Sequence, residues 1–168
     1  MSKKIGHLKV AVCSKNLTHV DSAFSFSRQV VFYDVSYDSI EFIDVARFAS
    51  TPRRSEAAAA APKQPNGTGK KGGCCMAELG GSEVDQLSMR VASLDGCDVM
   101  FCVGLNDLAA VRIRDAGVFP VKMESSREID EVLSSLQWRM NHNPPLWIRR
   151  LLGYGNKNSE YRVAVGAA

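Results

Sequence analysis

The chain's first strongly apolar run is "LKVAVC" (residues 8–13), short and closed on both sides by polar residues. A run of that length predicts a buried strand. "RQVVFYDVS" and "SIEFIDVARF" read as a second and third strand, and the short polar "SYDS" between them predicts an antiparallel hairpin. All periodicity then breaks in "TPRRSEAAAAAPKQPNGTGKKGG". Its Ala, Pro, Gly and Lys content predicts a flexible, solvated insertion at about 52–73, with Pro62 ending whatever helix the alanines begin.

Order returns with a helical pattern. Val84, Leu87, Val91 and Leu94 recur at helical spacing, and Ser82 with Asp85 resembles a capping box. "CDVMFCVG" predicts a strand, "NDLAAVRIRDAG" a helix with Asn106 as N-cap and Gly117 at its stop, and "VFPVKM" another strand. In "SSREIDEVLSSLQWRMN", Ile129, Val132, Leu133, Leu136 and Met140 line one face, with Ser125 and Glu128 placed for a capping box. "PPLWIRRLLG" adds a short helix, and the chain from Tyr154 onward reads as a loose tail. The order β-β-β, insertion, α-β-α-β-α predicts a five-stranded mixed sheet with helices on both faces. That is a three-layer α/β/α fold: one domain over 1–153, interrupted by the insertion, with a tail at 154–168.

At 168 residues, 45% hydrophobic and 23% charged, the chain has an ordinary globular composition. No apolar run approaches the ~20 residues needed to span a bilayer, and "MSKKIGH" leads straight into a strand, so a cytoplasmic location is expected. The net charge of +3 is unevenly spread. Between Pro52 and Gly73 stand Arg53, Arg54, Lys63, Lys70 and Lys71 against Glu56 alone, leaving the remainder slightly acidic. A basic loop on a near-neutral domain is not the continuous cationic face of a nucleic-acid binder. Five cysteines in such a chain do not suggest a disulfide framework.

Several chemistries are disfavoured by what the strands and loops contain. Two-metal phosphoryl transfer needs carboxylates converging at strand ends, yet "LKVAVC" has none and "CDVMFCVG" only Asp98. "GLNDLAAVRIRDAG" lacks the glycine spacing of a dinucleotide loop, and neither a G-x-S-x-G elbow nor a Cys-x-x-Cys pair occurs. There remain His19, in the loop after the first strand, and Cys74 and Cys75, where the insertion rejoins the domain. Parallel strands gather binding sites at their C-terminal edge, and both segments are placed to share it. Imidazole and thiolate suit iron, iron–sulfur and zinc species. Against this, loop histidines are often merely solvated, and adjacent cysteines do not easily ligate one ion. Cys97 and Cys102 are expected in the core, Cys13 in the core or at the rim, and His7 and His142 in structural or solvent-facing positions.

The segments "LKVAVCSKNLTHVDSAF", "VVFYDV", "LDGCDVMFCVGLNDLAAVRIRDAGVFPVKM", "EIDEVLSSLQWRM" and "PPLWIRRLLG" together resemble the nitrogenase iron–molybdenum cofactor biosynthesis family, the carrier proteins of the NifX and NafY type. The resemblance covers residues 8–48 and about 82–153. It implies a ribonuclease H-like fold and a non-catalytic role in binding, storing or passing on an iron–sulfur precursor of the cofactor. Cofactor-assembly proteins or apo-nitrogenase are the implied partners. The family's usual loop reads close to His-Val-Asp-x-His-Phe-Gly, its second histidine the favoured cluster ligand. Here His19, Asp21 and Phe24 match, but Ala23 stands at the second histidine and Ser25 at the glycine.

The expected cofactor-binding set is therefore His19, Asp21, Ser25, Arg28, Cys74 and Cys75, with His19, Cys74 and Cys75 as the metal ligands. Phe24 is expected to anchor the loop. Weaker binding or its loss is the other consequence of Ala23. The alternative function is a protein-interaction or regulatory module that keeps the fold without a cluster, its basic insertion docking an acidic partner surface.

Overall fold

Leu8, Val10 and Val12 alternate along the first strand with Ala11 and Cys13, and all five are fully buried. Both faces of that strand are apolar, so it belongs at the centre of a sheet covered on both sides. A computed structural model describes residues 6–49 and 81–154, the first five of the latter (81–85) by their backbone only. In chain order it contains β1 (Leu8–Cys13), β2 (His19–Val20), a 3-10 turn (Phe24–Phe26), β3 (Gln29–Val35) and β4 (Ile40–Arg47). These are followed by α1 (Gly81–Ser93), β5 (Val99–Cys102), α2 (Asp107–Asp115), β6 (Phe119–Lys122), β7 (Arg127–Glu128), α3 (Ile129–Asn141) and α4 (Leu146–Leu151). The expected insertion, Cys74, Cys75, the side chains of Ser82, Val84 and Asp85, and the tail beyond Tyr154 lie outside these residues.

The main sheet runs β4-β3-β1-β5-β6. β3 lies antiparallel to β1 and to β4, whereas β5 is parallel to β1 and to β6. The expected mixed five-stranded α/β sheet is therefore present. Its two cores follow from strand alternation. Leu8, Val10, Val12, Val99 and Phe101 pack with Ile129, Val132, Leu133, Leu136 and Met140 of α3 and with Ile148 of α4. Ala11, Cys13, Met100 and Cys102 face the other way, toward Leu87 of α1 and Ala109 and Ile113 of α2.

Local signals operate where the sequence suggested. The Asn106 side chain accepts from the Ala109 N–H at 2.8 Å, capping α2. At the other end Gly117 adopts φ +82°, while Val118 N–H donates to Ile113 C=O and Gly117 N–H to Arg114 C=O. Those two bonds make a Schellman stop, which places a left-handed residue at this position.

The capping box expected at Ser125 and Glu128 does not form: Glu128 is the N-cap of α3 and makes no side-chain cap bond. Arg127 and Glu128 instead pair antiparallel with Val20 and His19, and the Ile129 N–H donates to the Thr18 C=O at 2.9 Å. Strand pairing, not a side-chain cap, therefore fixes the entry to α3 and satisfies its first backbone donor. Tyr154, expected to begin the loose tail, is held in place. Its ring packs on the α3-side core and its hydroxyl lies 2.8 Å from that of Tyr37. No helix among the described residues is long and apolar enough to cross a membrane.

Candidate functional site

β1, β4, β5 and β6 end at one edge of the sheet, and β3 begins there, since Cys13 pairs with Val30 and Gln29 with Arg47. Lys15, Arg28, Arg47 and Lys122 are exposed at this edge, interspersed with Asp21 and Glu124. The edge is charged and mixed in sign. Beyond Cys13 the chain leaves the sheet, forms β2, and returns beside the end of β5. On that return Asp21 N–H donates to Cys13 C=O, Val103 N–H to Ser22 C=O, and Phe24 N–H to Gly104 C=O. Ala23 forms a parallel bridge with Gly104, so the returning segment occupies the slot that a longer β1 would have filled. A Cβ on Gly104 would stand 2.7 Å from that of Ala23, which explains the glycine.

Polar side chains shape the excursion. Ser14 Oγ accepts from the Leu17 N–H, and Asn16 Oδ1 accepts from the N–H groups of Thr18 and His19. Asp21 Oδ1 accepts from the Lys15 N–H at 2.7 Å, and Gln29 Nε2 donates to the Lys15 C=O. These bonds hold Leu17 at φ +66°, a left-handed conformation that costs a non-glycine residue about 1–2 kcal/mol. Serine, asparagine and aspartate supply the turn acceptors that make it affordable.

His19 is half-buried on β2, opposite Glu128. Its Nδ1 lies 2.9 Å from Thr18 Oγ1. When Nδ1 carries the proton it donates to that hydroxyl, and the Nε2 lone pair is available to a metal. Among the described residues no partner engages Nε2. Asp21 is engaged by backbone and by Ser22, so its observed role is to brace the loop. Ser25 sits in the 3-10 turn, where the Asn106 Nδ2 donates to its hydroxyl at 3.3 Å. Arg28 is exposed at the start of β3. The structure thus gathers His19, Asp21, Ser25 and Arg28 at one edge, on the stretch that runs from β2 through the 3-10 turn to the start of β3. Cys74 and Cys75 are outside the described residues. Among the described residues no three His, Cys, Asp or Glu side chains converge as a metal-binding group.

Phe24 anchors the turn, as its match to the family loop implied, and is fully buried in the α1–α2 core. Arg90 adds a tie that the sequence reading did not include. It is 4% exposed, donates from Nε to the Ser27 C=O at 3.0 Å and from Nη1 to the Gln86 C=O, and stacks on Phe48. Burial lowers its pKa, though a guanidinium remains charged. A signal existed: Arg90 stands between Leu87 and Leu94 on the apolar face of α1. His7 is also structural, bonded to Asp34, and His142 stacks on Trp138.

Cys13, Cys97 and Cys102 are buried free thiols. Burial drives the Cys13 pKa far above its ordinary value and pushes Cys97 and Cys102 up to about 11. Thiolate is the form that ligates and reacts, so none of the three is a ready cluster ligand. Alkylation with iodoacetamide at pH 8, read by peptide mass mapping, is expected to spare all three until the protein is unfolded. Rapid labelling of the native state would contradict this. The sign for stability follows: above the ordinary value of 9.0 the unfolded chain binds fewer protons than the native one. Stability therefore falls as pH rises from about 9 toward 11.

Fold and loop together define a three-layer α/β domain that presents a braced histidine at the C-terminal edge of its sheet. The family described as Dinitrogenase iron-molybdenum cofactor matches residues 6–138, and the chain belongs to that family. It is 27% identical to Protein NifX of Rhodobacter capsulatus over 150 residues, which cover 89% of this chain and 80% of that protein. Protein NifX of Sinorhizobium fredii is 24% identical over 150 residues, covering 89% of this chain and 81% of that protein. Protein NifX of Azotobacter vinelandii is 24% identical over 145 residues, covering 86% and 75% respectively.

Proposed function

We propose that this protein binds, stores or transfers an iron–sulfur precursor of the nitrogenase iron–molybdenum cofactor, as a non-catalytic carrier in nitrogen fixation. The observation that carries the reading is His19, half-buried in a loop braced by Asn16, Thr18 and Asp21, with Nε2 facing no partner among the described residues. A single imidazole of this kind is a labile ligand, which suits cargo that must be handed on. In this reading Arg28 and Ser25 meet the anionic cluster, and cofactor-assembly proteins or apo-nitrogenase receive it. The antiparallel second strand of the main sheet and its order support a ribonuclease H-like assignment.

Cys74 and Cys75 belong to the proposed ligand set on topological grounds. β4 ends at the edge that carries His19, and α1 must start on that side to lead back to β5, which begins at the opposite edge. Both described ends of the intervening chain therefore lie on the His19 side.

Anaerobic titration of the full chain with the isolated precursor, followed by visible absorption and by iron content after gel filtration, tests this. Several irons per chain should co-elute, and His19→Ala should weaken binding about tenfold or more, in line with losses at metal sites generally. The Cys74→Ser/Cys75→Ser pair should do likewise. Folded protein eluting without iron would favour the second reading, a protein-interaction module. That reading draws on Phe26, 81% exposed beside Ser25, and on Leu108, 54% exposed on α2.

A further inference from the structure

A cavity of about 300 Å³ opens on the α3 side of the sheet, at the C-terminal ends of β5 and β6. Its floor is apolar, formed by Phe101, Val132 and Leu136, each keeping only a few per cent of its surface exposed. Trp147 forms one wall and is fixed by stacking on Phe119, with ring centroids 4.6 Å apart and planes 9° from parallel. The rim is polar: Ser125, Ser135 and the guanidinium groups of Arg127 and Arg139 line it, with Glu124 as the one carboxylate among the described residues. Val132, Ser135, Leu136 and Arg139 recur at the spacing of one helix face, so α3 alone supplies floor, hydroxyl and cation in sequence.

We propose that this cavity is a binding site for a small organic anion, with a compact apolar body and a single carboxylate or phosphate group. Its volume lies at the lower end of the range for small-molecule sites, and an apolar interior with few placed polar groups is their usual construction. Arg139 has no carboxylate partner among the described residues. Arg127 has only a loose contact with Glu131, 3.7 Å away and exposed on both sides. Both guanidinium groups are thus available to an anionic group at the mouth, where charge-assisted bonds are strongest. The Ser125 and Ser135 hydroxyls supply further donors.

Among the described residues the lining contains no histidine and no cysteine, so these residues do not offer the soft ligands an iron–sulfur cluster needs. The ligand here is a second molecule, and the site stands independently of cluster binding. It is nevertheless adjoined to the histidine loop. Arg127 pairs with Val20 across β2–β7, and Val20 is buried in the α3-side core. Alternation puts Val20 and Arg127 on one face of this two-stranded sheet, and His19 and Glu128 on the other. The two sites therefore share a backbone but not a face.

Titration of the isotope-labelled full chain, without metal, with benzoate and with phenyl phosphate tests the proposal by nuclear magnetic resonance. Benzyl alcohol and inorganic phosphate serve as the neutral and the body-less controls. At least one of the aromatic anions should bind about tenfold more tightly than either control, the scale of one charge-assisted contact. The tighter of the two identifies the anionic group preferred. Shift changes should concentrate on residues 121–139 and on the Trp147 indole. Arg139→Gln should weaken binding about tenfold, and Ser135→Trp, which fills the mouth from an exposed position, should abolish it. Thermal melts of both variants check that the fold is intact. Equal affinity for benzoate, phenyl phosphate and benzyl alcohol, shifts mapping elsewhere, or an unaffected Arg139→Gln variant would overturn the proposal.

Discussion

Phe24→Ala should lower the free energy of unfolding by about 3–5 kcal/mol, the range for removing a fully buried aromatic side chain. The ring has no residual exposure and lies in the core formed with Leu87, Met100, Ala109 and Ile113. Its loss leaves a cavity under a turn whose other ties include the Phe24–Gly104 backbone bond, the Asn106–Ser25 bond and the Arg90 contact at Ser27. Chemical denaturation followed by circular dichroism measures the change. Phe24→Leu, which retains much of the apolar volume, should cost roughly 1–2 kcal/mol. The two variants thus separate packing from the mere presence of an aromatic ring. An alanine variant within 1 kcal/mol of the parent would mean that the turn is held by its hydrogen bonds alone. Loop geometry should suffer with stability, because Ala23, Ser25 and Asp21 are carried on the same short return segment.

Ala23→His should raise affinity for the isolated cofactor precursor by tenfold or more under anaerobic conditions, on the scale of effects seen when metal-site partners are altered. The family loop places its second histidine at this position, and the local backbone accepts one. Ala23 has φ −73° and ψ 139°, an extended conformation that histidine adopts without strain. The residue is half-buried beside Gly104 and next in sequence to the Phe24 anchor. An added imidazole would therefore be borne by the same anchored segment as Ser25. Iron retained through gel filtration, compared between parent, Ala23→His and Ala23→His combined with His19→Ala, provides the readout. If the gain appears even without His19, position 23 suffices by itself. No gain in folded Ala23→His protein would show that this edge does not carry the cargo.

Much of the architecture could be read along the chain because it depends on local patterns. The largely apolar β1, the polar turn before β4, Asn106 and Gly117 at the ends of α2, and the apolar stripe of α3 each declare themselves within a few residues. The misreading at Ser125 and Glu128 shows where such signals stop. The spacing fits a capping box, but β2, more than a hundred residues earlier, claims the backbone first. A pairing of two-residue strands leaves no periodicity to detect. Arg90 is a different case: an arginine on an apolar helix face was visible, while the Ser27 carbonyl that accounts for it was not.

The sequence by itself determined the order of the main-sheet strands and the helices and the mixed α/β sheet, since side-chain period and turn chemistry are properties of neighbouring residues. The resemblance to the family loop pointed to Phe24 as anchor and to His19 as the histidine worth following. Only the tertiary structure decided that His19 faces away from Arg127 and that Asp21 braces its own loop. It alone also showed that Val132, Ser135, Leu136 and Arg139 open onto a cavity with Trp147. Those facts depend on which distant segments meet. Contacts between segments far apart in the chain are set by packing and strand register, which no local pattern encodes.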